Sequence, residues 1–284
     1  MFEALAQKND AEVITTADAW LRRNPTDALV GLARENAIVT LSNSSTYTIG
    51  VSAPLTGPLK QVVRRSCKAC CWRCVRSTTT AGSRKARKPN RLKVRVLNDG
   101  GDRATAIRVA SEFAKDNMIW GVIGPYSSST LLAAAPIYNN SSNVIIAPAA
   151  TNPRITDAGA NIYRVAPSDT TQGASLARLV KARGNDSVAV LFDDNDAYSS
   201  GLATSFKREA ARIGLTTSDT PITLNSYTAV KVGNYNVAAI FVAGYTPDVA
   251  AVAKLEKPFR KPSSLGTART VRTSSRREAT PWKA

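Results

Sequence analysis

The chain contains no histidine. Serine–histidine triads and histidine general bases are therefore closed to it. No glycine loop of the usual phosphate-cradling spacings occurs either. No apolar run approaches the roughly 20 residues that a membrane-spanning helix needs. The amino terminus, Met1 to Gln7, lacks the charged start and apolar core of a secretion signal.

Cysteine is missing almost everywhere. All four, Cys67, Cys70, Cys71 and Cys74, crowd into eight residues. Acid is missing from the same stretch: Gln61 to Lys88 holds nine Lys/Arg and no Asp or Glu. The end of the chain, Pro258 to Ala284, holds seven basic residues and one acid. Together these segments supply fifteen of the seventeen net positive charges. A charge of that size ordinarily points to nucleic acid or an anionic surface. Here it is local, and the rest of the chain is near neutral and cysteine-free.

What is present is an α/β pattern. With 43% hydrophobic residues, the 284-residue chain can build one large or two medium domains with ample core. Residues 1–45 read as a helical segment, with Ala11 to Arg23 and Ala28 to Leu41 as helices and Asn24-Pro25-Thr26-Asp27 as the turn between them. It is a helical linker, or the remnant of a longer upstream domain. It also loosely resembles one tetratricopeptide unit, but one unit establishes no repeat. From Thr46 onward, short apolar runs alternate with helix-length segments, the pattern of βαβ units and parallel sheets. Strands are expected at Tyr47–Ala53, Leu92–Leu97, Ile119–Gly124, Val144–Ile146, Val188–Phe192 and Val237–Val242, with an extended Thr220–Leu224. Helices are expected at Ala104–Asp116, Ser129–Tyr138, Thr171–Arg183 and Ser200–Ile213. A first lobe then spans 46–166 and a second 167–257, with a basic tail at 258–284.

Several strand ends carry loops of small hydroxyl residues: Pro125-Tyr126-Ser127-Ser128-Ser129-Thr130 and Ala147-Pro148-Ala149-Ala150-Thr151-Asn152-Pro153. Ligands of open α/β sheets bind outside the carboxyl ends of the strands. Ser127 to Thr130 lie where a strand enters a helix, a place that suits a carboxylate; plain N-capping is the simpler role for such residues. The acidic run Asp193-Asp194-Asn195-Asp196 could hold a divalent cation, but capping of the next helix accounts for it better. Cys67-x2-Cys70-Cys71-x2-Cys74 invites a zinc reading; structural zinc sites, however, usually draw two ligand pairs from separated turns. The basic tract Arg84 to Lys88 has no interleaved aromatics and no reading element for nucleic acid. No metal, cofactor or nucleic-acid partner is called for, and no catalytic residue is assigned.

Six motifs in order, YTIGVSAPLTGP (47–58), LNDGGD (97–102), VIGPYSSS (122–129), PAATNP (148–153), RVAPSD (164–169) and GYTP (244–247), resemble the type I periplasmic binding proteins. The likeness is greatest to their branched-chain amino-acid branch and covers about 46–60 and 89–256. It implies a two-lobed α/β fold, parallel sheets flanked by helices, incomplete at the carboxyl end. It also implies capture of a small amino acid or related carboxylate between the lobes, without chemistry, for the membrane subunits of an ABC transporter. The alternative is a ligand-sensing module of a signalling protein. A periplasmic or extracytoplasmic location follows from the resemblance, although the written sequence shows no signal peptide. Carried over by motif, the ligand contacts are Ser128, Ala149 and Thr151 from the first lobe, with Tyr198 and Tyr245 from the second.

The resemblance also accounts for the two foreign segments. The family expects an amphipathic helix ending in an Asn-Gly-Gly loop where Gln61 to Lys88 stands. Taking the third base of each codon with the first two of the next, from Ser66 onward, permits L-Q-G-V-L-L-A-V-R-E-I-N-N-N-G-G-V. The same shift on Leu265 to Arg272 permits G-D-G-A-Y-S-P, which resembles the family's next strand end and its acidic anchor for a ligand ammonium. Both segments are read as translated out of frame. Gln61 to Lys88 is therefore expected to be disordered, and the chain as written to bind weakly or not at all.

Overall fold

The computed structural model describes residues 9–42, 46–57, 59–60, 91–222, 237 and 239–255. Both basic segments and the cysteine cluster lie outside these residues. The chain forms two compact units: residues 1–149 with 156–165, and residues 150–155 with 166–284.

In the first unit, α1 (Asp10–Arg23) and α2 (Ala28–Leu41) form an antiparallel hairpin. Asn9 caps α1 and Asp27 caps α2, each accepting from a backbone N–H of the first turn. Asp27 also accepts from Trp20 Nε1 at 3.1 Å, which fixes the turn. Val13 and Ala37 are buried where the helices meet.

The sheet of this unit is parallel, in the order β2-β1-β3-β4-β5. Its strands are β1 (Thr46–Ala53), β2 (Arg91–Asn98), β3 (Ile119–Ile123), β4 (Val144–Ala147) and β5 (Ile162–Arg164). Helices α3 (Arg103–Ala114) and α4 (Ser128–Asn139) pack on one face. Gly50 of β1 lies under Phe113 of α3, where an added Cβ would come within 2.9 Å of the ring. On that face Val122, Ile145 and Ile162 align in register and are all buried. On the other face Ile123, Ile146 and Tyr163 align, exposed by 43%, 41% and 56%. Among the described residues, cover on this second face lies at its β1–β2 end, where Leu32 of α2 packs on Val51, Ala53 and Val94.

The second unit holds a three-stranded parallel sheet, β7-β6-β8, from β6 (Ser187–Phe192), β7 (Thr216–Pro221) and β8 (Ala239–Ala243). Helices α5 (Asp169–Ala182) and α6 (Ala197–Arg212) pack on one face, where Val188, Val190, Phe206 and Phe241 meet. Phe206 and Phe241 stack with centroids 4.1 Å apart. On the other face Ala189, Leu191, Ile240 and Val242 pack with Val252 of α7 (Thr246–Leu255). The helices α5 and α6 approach closely at Gly173, where a Cβ would lie 2.6 Å from the Phe206 backbone nitrogen.

Most elements fall within a few residues of the sequence expectation. Two differences matter. The helix expected from Ser200 begins at Ala197, because Asp196 caps it by accepting from Ser199 N, which puts Tyr198 inside its first turn. The extended segment expected at Thr220–Leu224 begins earlier, at Thr216, pairing with β6 from Ser187 onward.

Candidate functional site: the strand-end loops

In the first unit, β3 ends at Ile123 and the chain turns through Gly124, Pro125 and Tyr126 into α4. Gly124 has φ +107, and a Cβ there would meet Ser52 O at 2.1 Å, so only glycine fits the turn. Ser127 is the N-cap: its Oγ accepts from Thr130 N at 3.2 Å and lies 2.8 Å from Thr130 Oγ1. Capping is therefore the work of Ser127 with Thr130. Ser128, the sequence candidate, is the first residue of the helix and is buried. The helix N-terminus supplies the partial positive charge that favours an anion beside it.

Next to this loop the LNDGGD motif has an architectural job that sequence reading did not assign. Asn98 Oδ1 accepts from Leu55 N at 2.9 Å and Gly100 N at 2.9 Å, while its Nδ2 donates to Thr56 Oγ1 at 2.8 Å. The loops that follow β1 and β2 are thereby tied together. Asp99 is buried, accepting from Ser52 Oγ at 2.8 Å and Gly101 N at 2.9 Å. Burial pushes its carboxyl above the ordinary value, and the two hydrogen bonds only partly oppose this. Tyr138, buried in the same unit, is pushed up first by burial and then by the Asp99 charge.

Ala149 ends the first unit's part of the PAATNP loop and is half-buried. Thr151 corrects the sequence assignment: it groups with the second unit, not the first. The reason is local hydrogen bonding. Asp169 N donates to Thr151 O at 2.9 Å, and Asn152 Nδ2 donates to Ala197 O. Gly201 leaves room for Asn152, since a Cβ there would meet its Nδ2 at 2.3 Å.

In the second unit, Tyr198 and Tyr245 come together, ring centroids 5.1 Å apart and planes tilted by 35°. Tyr245 Oη donates to Asp196 Oδ2 at 3.5 Å, and Asp248 accepts from Tyr245 N at 2.8 Å. Ser199 locks the base of this loop, its Oγ bonding both Asp193 N and Ala243 O. The acidic run is largely committed to structure: Asp196 caps α6, and Asp193 Oδ1 accepts from Asn195 N at 2.8 Å. Among the described residues no group of three or more His, Cys, Asp or Glu could hold a metal ion.

Strand-end loops of these types, on parallel sheets in this order, agree with the resemblance seen in the sequence. A family model described as "Periplasmic binding protein" matches residues 46–255. The chain belongs to the type I periplasmic binding proteins. Its relatives include the Leu/Ile/Val-binding protein homolog 1 of Brucella abortus, 27% identical over 193 residues. A leucine-, isoleucine-, valine-, threonine- and alanine-binding protein of Pseudomonas aeruginosa is 26% identical over 238 residues. The matches take in 68% and 78% of this chain but only 49% and 62% of those proteins. The fold is also that of a leucine-binding protein of Thermotoga maritima (TM-score 0.61, 23% identity, 73% of this chain and 59% of that one). A Rhodopseudomonas palustris solute-binding protein in complex with 4-hydroxybenzoate shares it as well (TM-score 0.61, 16% identity, 74% and 57%). The hairpin of α1 and α2 lies outside the family match.

Proposed function

We propose that this periplasmic binding protein is the solute-binding component of an ABC-type amino-acid transport system, capturing a small amino acid or related carboxylate without altering it. The observation that carries the reading is the start of α4. Its cap is made by Ser127 with Thr130, and Ser128 stands beside the amides of the first turn. Helix amides and a hydroxyl at a strand's carboxyl end suit a carboxylate. Ala149, Thr151, Tyr198 and Tyr245 are the further contacts, the two tyrosines forming an apolar wall with polar tips. The amino-acid-binding names of the Brucella and Pseudomonas relatives support the ligand class. Membrane subunits of the transporter are its partners, and its place is outside the cytoplasmic membrane.

Calorimetry tests this on the chain with both frames restored, against leucine, isoleucine, valine, threonine, alanine and 4-hydroxybenzoate. At least one amino acid binds. Ser128→Ala then loses a hydrogen bond to a charged group, about 1.5–3 kcal/mol, or roughly ten- to a hundredfold in affinity. Binding of the aromatic acid alone would overturn the ligand class and leave solute capture standing; no binding at all would overturn both. The chain as written binds weakly or not at all in the same assay.

A further inference from the structure

β2 is an outer strand of the first sheet. An outer strand presents a row of backbone N–H and C=O groups that can template pairing with another chain. Groups with one direction recur at every second residue, so Leu92, Val94 and Val96 share theirs. At the middle of this series the hairpin intervenes. Asn36 Nδ2 donates to Val94 O at 2.8 Å, and Asn36 Oδ1 accepts from Val94 N at 3.0 Å. A primary amide carries a donor and an acceptor side by side, so it offers Val94 what a paired strand would offer. An incoming strand needs successive outward residues, and of the pairs that β2 offers, Leu92 with Val94, Val94 with Val96 and Val96 with Asn98, the first two include Val94.

Other features show an element built to hold that amide in place. Leu32, four residues before Asn36 and so on the same side of α2, is buried against Val51, Ala53 and Val94. Behind it, α1 braces α2 through the buried Val13 and Ala37 and through an ion pair between Arg34 and Asp18. The helix is thus anchored on one side by the sheet and on the other by its partner helix.

We propose that the hairpin Asp10–Leu41 is an edge guard of the first sheet, whose Asn36 clamp keeps β2 from pairing with a strand of a second copy of this chain. It is neither a linker nor a separate domain. The test is hydrogen exchange with light scattering on the full chain carrying Asn36→Leu, which keeps the volume and removes the amide. At low protein concentration, exchange across Arg91–Asn98 quickens at least tenfold, while Ser187–Phe192 in the second unit is unchanged. As concentration rises, the parent chain changes little. In the variant, protection returns to Arg91–Asn98 and the scattering mass grows in step. Unchanged exchange across Arg91–Asn98 overturns the clamp, and faster exchange with no concentration dependence overturns the guard. If Asn36→Leu does not accumulate as folded protein, Asn36→Asp, which keeps the acceptor and loses the donor, shows the same pattern at smaller amplitude.

Discussion

The two units carry strands that read alike and end up in different surroundings. Val188 to Phe192 in β6 and Ile119 to Ile123 in β3 are both short, nearly continuous apolar runs. In β6 all five residues are buried, because α5 and α6 cover one face and α7 the other. In β4 burial alternates, in β3 two of the five residues are exposed, and Ile123, Val144 and Ile146 are each more than 40% exposed. Parallel sheets are normally buried on both faces. The second unit satisfies that rule. The first satisfies it only over β1 and β2, where the hairpin lies, and the described residues leave the β3–β5 side of one face open. A continuous apolar run therefore marks a strand meant for two-sided cover, and does not say whether the cover is there.

Core truncation gives the widest separation between the units. Phe241→Ala, removing a stacked ring from the buried side of β8, is expected to destabilise the second unit by about 3–5 kcal/mol. Ile146→Ala, on the open face of β4, is expected to cost about 0.5 kcal/mol or less, as surface changes do. Equal costs in denaturant titrations would mean that the open face is covered after all, and would end the contrast. The same face is expected to bind a hydrophobic dye, and Ile146→Lys to weaken that signal.

The hairpin sharpens the comparison at intermediate size. Leu32→Ala removes a buried side chain from the one covered part of that face, at about 2–5 kcal/mol. The loss should appear as faster exchange in β1 and β2 and leave β6 untouched. Uniform loosening of both units would show that they do not respond separately.

The smallest effects are pH-dependent and opposite in sign. In the first unit, the Asp99 carboxyl is raised by burial, so its contribution is fullest below the ordinary carboxylate value and is lost as pH rises through the raised one. In the second, hydrogen bonds from Arg212 and then Arg178 hold Glu209 down to about 2. Its contribution is present above the ordinary carboxylate value and is lost as pH falls toward about 2. Asp99→Asn should flatten the alkaline-side loss in the first unit, and Glu209→Gln the acid-side loss in the second. Exchange rates followed unit by unit across pH would refute this if both variants moved the same unit, or moved it in the same direction.

The loops and caps of the candidate site were legible in the sequence because they are local. The Ser127–Thr130 run at the end of an apolar strand announces a helix start, and Asp196 announces another. The division of labour within them was not legible. Nothing in the string separates Ser127, which caps, from Ser128, which does not. The LNDGGD motif was visible as a family mark, but the bracing role of Asn98 depends on a loop 42 residues away in sequence. Thr151 was placed in the wrong unit because its allegiance is set by a backbone bond from Asp169 and by its neighbour Asn152 reaching Ala197.

By itself, the sequence determined the α/β alternation, the order of strands along the chain, the family, and the contrast between two basic segments and a near-neutral remainder. These rest on periodicity, caps and composition, which act over a few residues. Tertiary structure alone decided that residues 28–41 lie against β2, that Asn36 meets Val94 across 58 positions, and that the described residues cover one apolar strand twice and another once. Burial is a property of what arrives from elsewhere in the chain, and a strand's own residues carry no record of it.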